Sequence, residues 1–253
     1  MTKDPLPEKG DNISLKEDTR GFTSEEVSAD RYPSFRLNPQ EIHQMAFQTI
    51  PQGARVLDVG CGAGEVSVAL RDQLNCTVLG IEPNKERAQS AQENGIEIIS
   101  SYLTEDSIRR LEPFDIVTFL DVLEHVSDPV ELLNTALPAL KPEGRIIVST
   151  PNVAHWSIRL KLLFGNFDYE PTGIMDATHL RWFTQKTIQN VVTSAGFKTT
   201  HLDVSRGHWL NVYHGRSPWK WFSKKTRKKI VNRLCKTFPR LFGCQHFLVA
   251  EKP

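Results

Sequence analysis

Three glycines, Gly60, Gly62 and Gly64, stand between the β-branched run Arg55-Val56-Leu57-Asp58-Val59 and a helical stretch from Glu65 to Leu74. A turn of this kind bends tightly and brings backbone to a ligand at the amino end of the next helix. The spacing departs from the G-x-G-x-x-G of a dinucleotide site, because position 65 is Glu, which is too large for close helix packing and a poor neighbour for a pyrophosphate. The loop therefore favours a ligand without phosphates. Glu82 follows at the end of the next expected strand, where a carboxylate can accept two hydrogen bonds from a ribose diol. Asp58, inside the first strand, is read as bonding loop amides or a ligand amine, or as serving the turn alone. Farther along, Asp121-Val122-Leu123-Glu124-His125 sets two carboxylates beside an imidazole. Close carboxylates repel and so ask for a cation or a proton, while a neutral imidazole can accept a proton at pH 7.

Positioning these groups requires regular elements, and the hydrophobic pattern supplies them. Strands are expected over 55–59, 77–81, 96–99, 114–120 and 145–149, separated by helices over 65–74, 84–94, 105–111 and 129–140. The alternation argues for an α/β, doubly wound, mostly parallel sheet with ligands at the carboxyl ends of its strands. Upstream, Asn38-Pro39 suits a helix start, continued by Ile42, Met45, Ala46 and Ile50. After Thr150 the rhythm breaks. Residues 151–176 read as an insertion carrying Trp156, Leu160, Leu162, Leu163, Phe164 and Phe167 beside Arg159 and Lys161. A helix capped by Thr184, a strand over 197–204, a second insertion at 206–243 with a basic helix over 219–236, and a last strand over 246–250 complete the chain. One domain is expected over 31–253, behind a flexible acidic tail over 1–30 that offers little apolar surface to bury.

Together the glycine turn and Glu82 make the chain resemble class I S-adenosylmethionine-dependent methyltransferases over about residues 36–200. Within them it is similar to the ubiquinone-biosynthesis O-methyltransferase-like branch. The acid, two residues, then Glu124-His125 fits that branch, as do Arg36-Leu37-Asn38-Pro39 and Thr178-His179-Leu180-Arg181-Trp182-Phe183. Asp121 departs from the branch's usual Glu, and Tyr102-Leu103 offers no carboxylate for an adenine amine. The resemblance implies a Rossmann-like, seven-stranded sheet with an antiparallel last strand. It also implies S-adenosylmethionine held by Arg36, Asp58, Gly60, Gly62, Gly64, Glu82, Leu120 and Asp121, with Arg36 on the cofactor carboxylate. The fold would bring Asp121, Glu124, His125 and His179 near the transferred methyl. Three readings of that cluster are open. It binds Mg²⁺ or another divalent cation that acidifies a substrate hydroxyl. His125 alone is the general base, with Glu124 and His179 around it. Or the acids cap the following helix and His179 is a loop residue.

Of 253 residues 39% are hydrophobic and 24% charged, which excludes collagen-like, mucin-like and wholly disordered chains. The four cysteines show neither zinc nor disulfide-scaffold spacing. No run approaches the ~20 apolar residues of a membrane span, so the expectation is a soluble, cytoplasmic protein. The net charge of +1 hides an asymmetry, because every charged residue from Arg206 to Arg240 is basic. That segment is read as a solvated face, as a peripheral contact with anionic membrane through 216–240, or, least readily, as a nucleic-acid contact. The functions considered are methylation of a small-molecule or lipid-linked hydroxyl, RNA-terminal 2′-O-methylation, and a catalytically silent cofactor-binding module serving a partner enzyme.

Overall fold

The computed structural model describes residues 41–214 and 219–252. In order, these form α1 (Ile42–Thr49), β1 (Arg55–Val59), α2 (Glu65–Leu74), β2 (Thr77–Ile81), α3 (Lys85–Glu93), β3 (Glu97–Ile99), α4 (Glu105–Ile108) and β4 (Phe114–Leu120). There follow α5 (Pro129–Ala136), β5 (Leu140–Pro151), α6 (Trp156–Leu163), α7 (Gln185–Ser194), β6 (Lys198–Val204), α8 (Lys224–Thr237), α9 (Pro239–Phe242) and β7 (Gln245–Glu251). The expected tail over 1–30, Arg36 with its expected contact to the cofactor carboxylate, the Asn38-Pro39 helix start and Arg216 all lie outside the described residues.

The seven strands make one sheet in the order β3-β2-β1-β4-β5-β7-β6. All pairs through β5 are parallel, and β7 runs antiparallel to both β5 and β6, as the sequence led us to expect. Side chains alternate across a strand, so each strand feeds two cores. Val56, Ile116, Ile147 and Val249 pack with α1 and α2 through Ile42, Ala46 and Leu70. Their neighbours Leu57, Val117, Ile146 and Leu248 pack with α4, α5 and α7 through Ile108, Leu133 and Ile188. The sheet is thereby covered on both faces, which leaves its carboxyl ends as the place for chemistry.

Local chemistry explains the element ends. Asn84 caps α3 by accepting from the Arg87 amide, and Thr184 forms a capping box with Thr187. The helix expected over 129–140 stops at Ala136 and tightens into a single 3₁₀ turn, Leu137–Ala139. Pro138 has no N–H to give the preceding turn, so the α pattern cannot continue through it. The basic stretch is likewise two pieces: a 3₁₀ turn at Trp219–Trp221, then α8, whose start is set by the Ser223 hydroxyl accepting from the Thr226 amide.

Candidate active site

The glycine turn lies where β1 ends. The Gly60 amide donates to the Ile81 carbonyl at 2.7 Å, tying the turn to β2. Gly60 has φ +72°, and a Cβ there would sit 2.7 Å from a methyl of Val122. Both the angle and the contact require glycine. Gly62 also has a positive φ, +60°, but nothing lies within 4 Å of where its Cβ would be. The turn is thus backed by protein at Gly60 and open at Gly62, the cradle that a ligand approaching along the backbone needs. Gly64, in the left-handed conformation, is the first cap of α2.

Glu82 is buried at the end of β2, and its two oxygens are engaged. One accepts from the Gly62 amide at 2.9 Å and the other from the Asn84 amide at 2.8 Å. It therefore fixes the shape of the turn before any ligand is present. Each carboxylate oxygen has a further lone pair for a diol. For Asp58, one of the partners considered, the loop amides, is replaced by hydroxyls. Its oxygens accept from the Ser67 hydroxyl at 2.6 Å and the Thr118 hydroxyl at 2.7 Å, not from loop amides. Burial raises its pKa while those two hydroxyls pull it back. The side chain thereby ties α2 and β4 together beneath the turn.

The second half of the site forms where β4 ends. Leu120 is half-buried there, packed against the core that holds α1 and α2. Asp121 follows with φ +55°, a left-handed conformation that Asp tolerates better than most residues. The chain then makes a 3₁₀ turn, Leu123–His125. Asp121 does not join the cluster expected of it. One oxygen accepts from the Ser149 hydroxyl at 2.8 Å and the other from the Gln245 side-chain amide at 2.6 Å. Strands β5 and β7 thus draw it toward the sheet, and burial pushes it up to about 6 against those two hydrogen bonds.

Glu124, His125 and His179 do come together, each offering a ligand atom within 4.8 Å of the others. The two rings meet edge to face with centroids 4.9 Å apart. Glu124 is buried and neither of its oxygens has a hydrogen-bond partner among the described residues. Burial foremost, then the charges of Asp121 and Asp176, holds its pKa well above the ordinary carboxylate range. The Glu124 carbonyl accepts from the amides of Leu180 at 2.8 Å and Arg181 at 3.0 Å, which docks the His179 segment on the 3₁₀ turn. His125 Nδ1 lies 3.3 Å from the Thr178 carbonyl and His179 Nδ1 lies 3.2 Å from the Ile174 carbonyl. A carbonyl can only accept, so when either ring is neutral these contacts put its proton on Nδ1 and leave the lone pair on Nε2.

Three contributors were missed in the sequence. Asp176, fully buried, accepts from the Thr178 amide at 2.8 Å and hydroxyl at 2.6 Å and so shapes the turn that presents His179. Its place three residues before His179 was the available signal. Ser149, a polar residue closing an apolar strand, was a weaker one. Gln245 had none, because only the antiparallel pairing of β7 beside β5 carries it to Asp121.

A family model described as methyltransferase domain matches residues 31–202. The ubiquinone biosynthesis O-methyltransferase of Actinobacillus pleuropneumoniae is 36% identical over 110 residues, which is 40% of this chain and 47% of that protein. That of Pseudomonas fluorescens is 33% identical over 126 residues, 47% of this chain and 54% of that protein. The chain thus spans about half the length of the curated relatives it matches. Among solved structures, a SAM-dependent methyltransferase from Archaeoglobus fulgidus superposes with a TM-score of 0.58 at 19% identity, covering 82% of this chain and 90% of that one. At that identity the likeness is one of fold.

Proposed function

The chain belongs to the S-adenosylmethionine-dependent methyltransferases, and from that premise we propose that it methylates a hydroxyl of a small-molecule or lipid-linked acceptor. The observation that carries the reading is the buried carboxylate of Glu124, without a hydrogen-bond partner among the described residues, set against His125 and His179. An amine acceptor is nucleophilic once neutral, whereas a hydroxyl must lose its proton as the bond forms. A cluster that can take up a proton or lower a hydroxyl's pKa is therefore matched to oxygen.

Residues on the cofactor side fit the cofactor. The opening over Gly62 admits it, Glu82 has lone pairs left for its ribose, and Asp58 lies beneath the turn; Arg36 is proposed for its carboxylate. Bound there, S-adenosylmethionine supplies a methyl on a sulfonium, a leaving group that needs no further activation. The protein's own tasks are to align the acceptor oxygen, exclude water and accept one proton.

For the proton, we infer a divalent cation held by Glu124, His125 and His179. The donor set fits, since one ligand atom from each of the three residues lies close to the others and a cation would offset the burial that raises the Glu124 carboxyl's pKa. Such an ion supplies Lewis acidity to a substrate hydroxyl. Asp121, bound to Ser149 and Gln245, is assigned to the cofactor side of the boundary rather than to the metal. A second reading has its own support. The Nδ1 contact with the Thr178 carbonyl orients His125 as a base, and that step works without an ion.

The test is transfer of labelled methyl from S-adenosylmethionine to pooled hydroxyl-bearing lipid and small-molecule extracts, with and without chelator. Labelled oxygen ethers made only before chelation and regained with Mg²⁺ support the metal site. Chelator-insensitive transfer supports His125 alone. Label only on nitrogen, or only on RNA, overturns the acceptor assignment. Cofactor binding without product from any extract points to a silent module.

A further inference from the structure

The two segments that interrupt the sheet's rhythm carry large apolar side chains in water. Leu163 and Phe164, at the end of α6, are 77% and 73% exposed, and Trp221, just ahead of α8, is 76% exposed with Phe222 beside it at 40%. Single exposed apolar residues are ordinary, but two such pairs on projecting segments mark a contact surface. Neither pair is on a loose flap. At the base of α6 the Tyr213 hydroxyl meets His155 Nε2 and Trp156 Nε1, each at 3.1 Å, and Arg159 donates to the Ala154 carbonyl at 2.6 Å. Trp219 packs edge to face on the same Tyr213, with centroids 5.2 Å apart. One small core of Tyr213, Val231 and Cys235, joined by Trp156 and Trp219, therefore supports both prongs.

Charge decides what the prongs meet. Lys224, Lys225, Arg227, Lys228 and Lys229 follow Trp221-Phe222 directly, and no acidic residue lies between Arg206 and Arg240. Among the described residues no helix is long and apolar enough to cross a membrane. We infer that Leu163-Phe164 and Trp221-Phe222 dip into an anionic bilayer surface while the lysines of α8 lie among the headgroup phosphates. The surface lies near the acceptor's side of the site. Phe167, just past α6, packs on Trp182 with centroids 5.5 Å apart, and Trp182 follows the His179-Leu180-Arg181 segment that is docked on Glu124. The inference rests on the proposed function only for its use, which is delivery of a lipid-linked hydroxyl.

The test is sedimentation of the full chain with vesicles of phosphatidylcholine alone or mixed with phosphatidylglycerol, at low and high salt. We expect binding to the anionic vesicles to fall about tenfold or more when Lys224, Lys225, Lys228 and Lys229 are replaced together by Gln. The double variant Leu163→Asp/Phe164→Asp and the separate Trp221→Asp should each weaken it similarly. All four lysines and the prong residues are outside the cofactor site, so unchanged calorimetry with S-adenosylmethionine shows the variants folded. Equal sedimentation with neutral and anionic lipid, binding indifferent to the prong variants, or no sedimentation of the wild type overturns the inference, the last in favour of a protein partner on the same face. A wild type that binds vesicles but not the cofactor overturns the proposed function and leaves the membrane surface standing.

Discussion

The half of the site proposed for the cofactor and the half proposed for the acceptor are built on opposite principles. Around the glycine turn the carboxylates are answered by the protein itself: Glu82 by Gly62 and Asn84, Asp58 by Ser67 and Thr118. Around Glu124 a buried carboxylate has no hydrogen-bond partner among the described residues and lies beside two imidazoles. A satisfied network holds its shape without a ligand, whereas an unsatisfied one is held together by the rest of the fold and gains most from what binds it. On the proposed function, the first half is a preformed seat and the second is where the acceptor loses its proton.

Breaking the acceptor half should have the largest effect. His125→Ala is expected to cost ~10²–10⁴-fold in kcat, with cofactor affinity nearly unchanged. If the ion is present, Glu124→Ala and His179→Ala fall in the same range because each removes a ligand, and chelation reproduces them. A near wild-type rate for His179→Ala together with indifference to chelator leaves His125 acting alone. Activity retained by His125→Ala removes both readings and leaves alignment as the mechanism.

Breaking the seat should be milder and of another kind. Glu82→Ala removes two acceptors from the backbone and those offered to the ribose, and should weaken S-adenosylmethionine by roughly 1.5–3 kcal/mol in calorimetry. Because Glu82 also holds the Gly62 amide, the variant should show a looser turn by faster hydrogen exchange at that amide. Unchanged affinity would place the ribose elsewhere.

Gln245 tests the boundary between the halves. Gln245→Ala removes the amide that donates to Asp121 at 2.6 Å, and a loss of about 1 kcal/mol in stability is expected. A structural role alone would end there. As a positioning residue it should also move the acid limb of the pH–rate profile upward, since its hydrogen bond keeps the Asp121 carboxyl from rising further.

A last effect is a dependence of stability on pH. Asp121 titrates at about 6 in the fold, above its unfolded value of about 4. The native state therefore holds the proton more tightly between those values, and wild type loses stability as pH rises through the window. Asp121→Asn cannot titrate and keeps the left-handed backbone comfortable. Relative to wild type it should gain on the order of 1–2 kcal/mol in urea unfolding between pH 4 and pH 6.5. Parallel curves would mean that Asp121 does not titrate there.

Much of this was legible in the amino-acid sequence, and the reason is one of range. Strands β1, β2 and β4 and helix α2 have the ends that their apolar runs predicted, and Gly60, Gly62, Gly64 and Glu82 lie close enough along the chain for a strand, a turn and the next strand to place them. The pairing of Glu124 with His125 is local as well. Tertiary structure alone decided the remainder. Asp121 belonged by spacing with Glu124, but the antiparallel arrival of β7 put Gln245 within 2.6 Å and turned it to another partner. His179 entered the cluster because the Leu180 and Arg181 amides found the Glu124 carbonyl, and Asp58 spent both its oxygens on hydroxyls from α2 and β4. Periodicity and turn chemistry act over a few residues and can be read in order, whereas the partner of a buried polar group is whichever group the sheet brings near it.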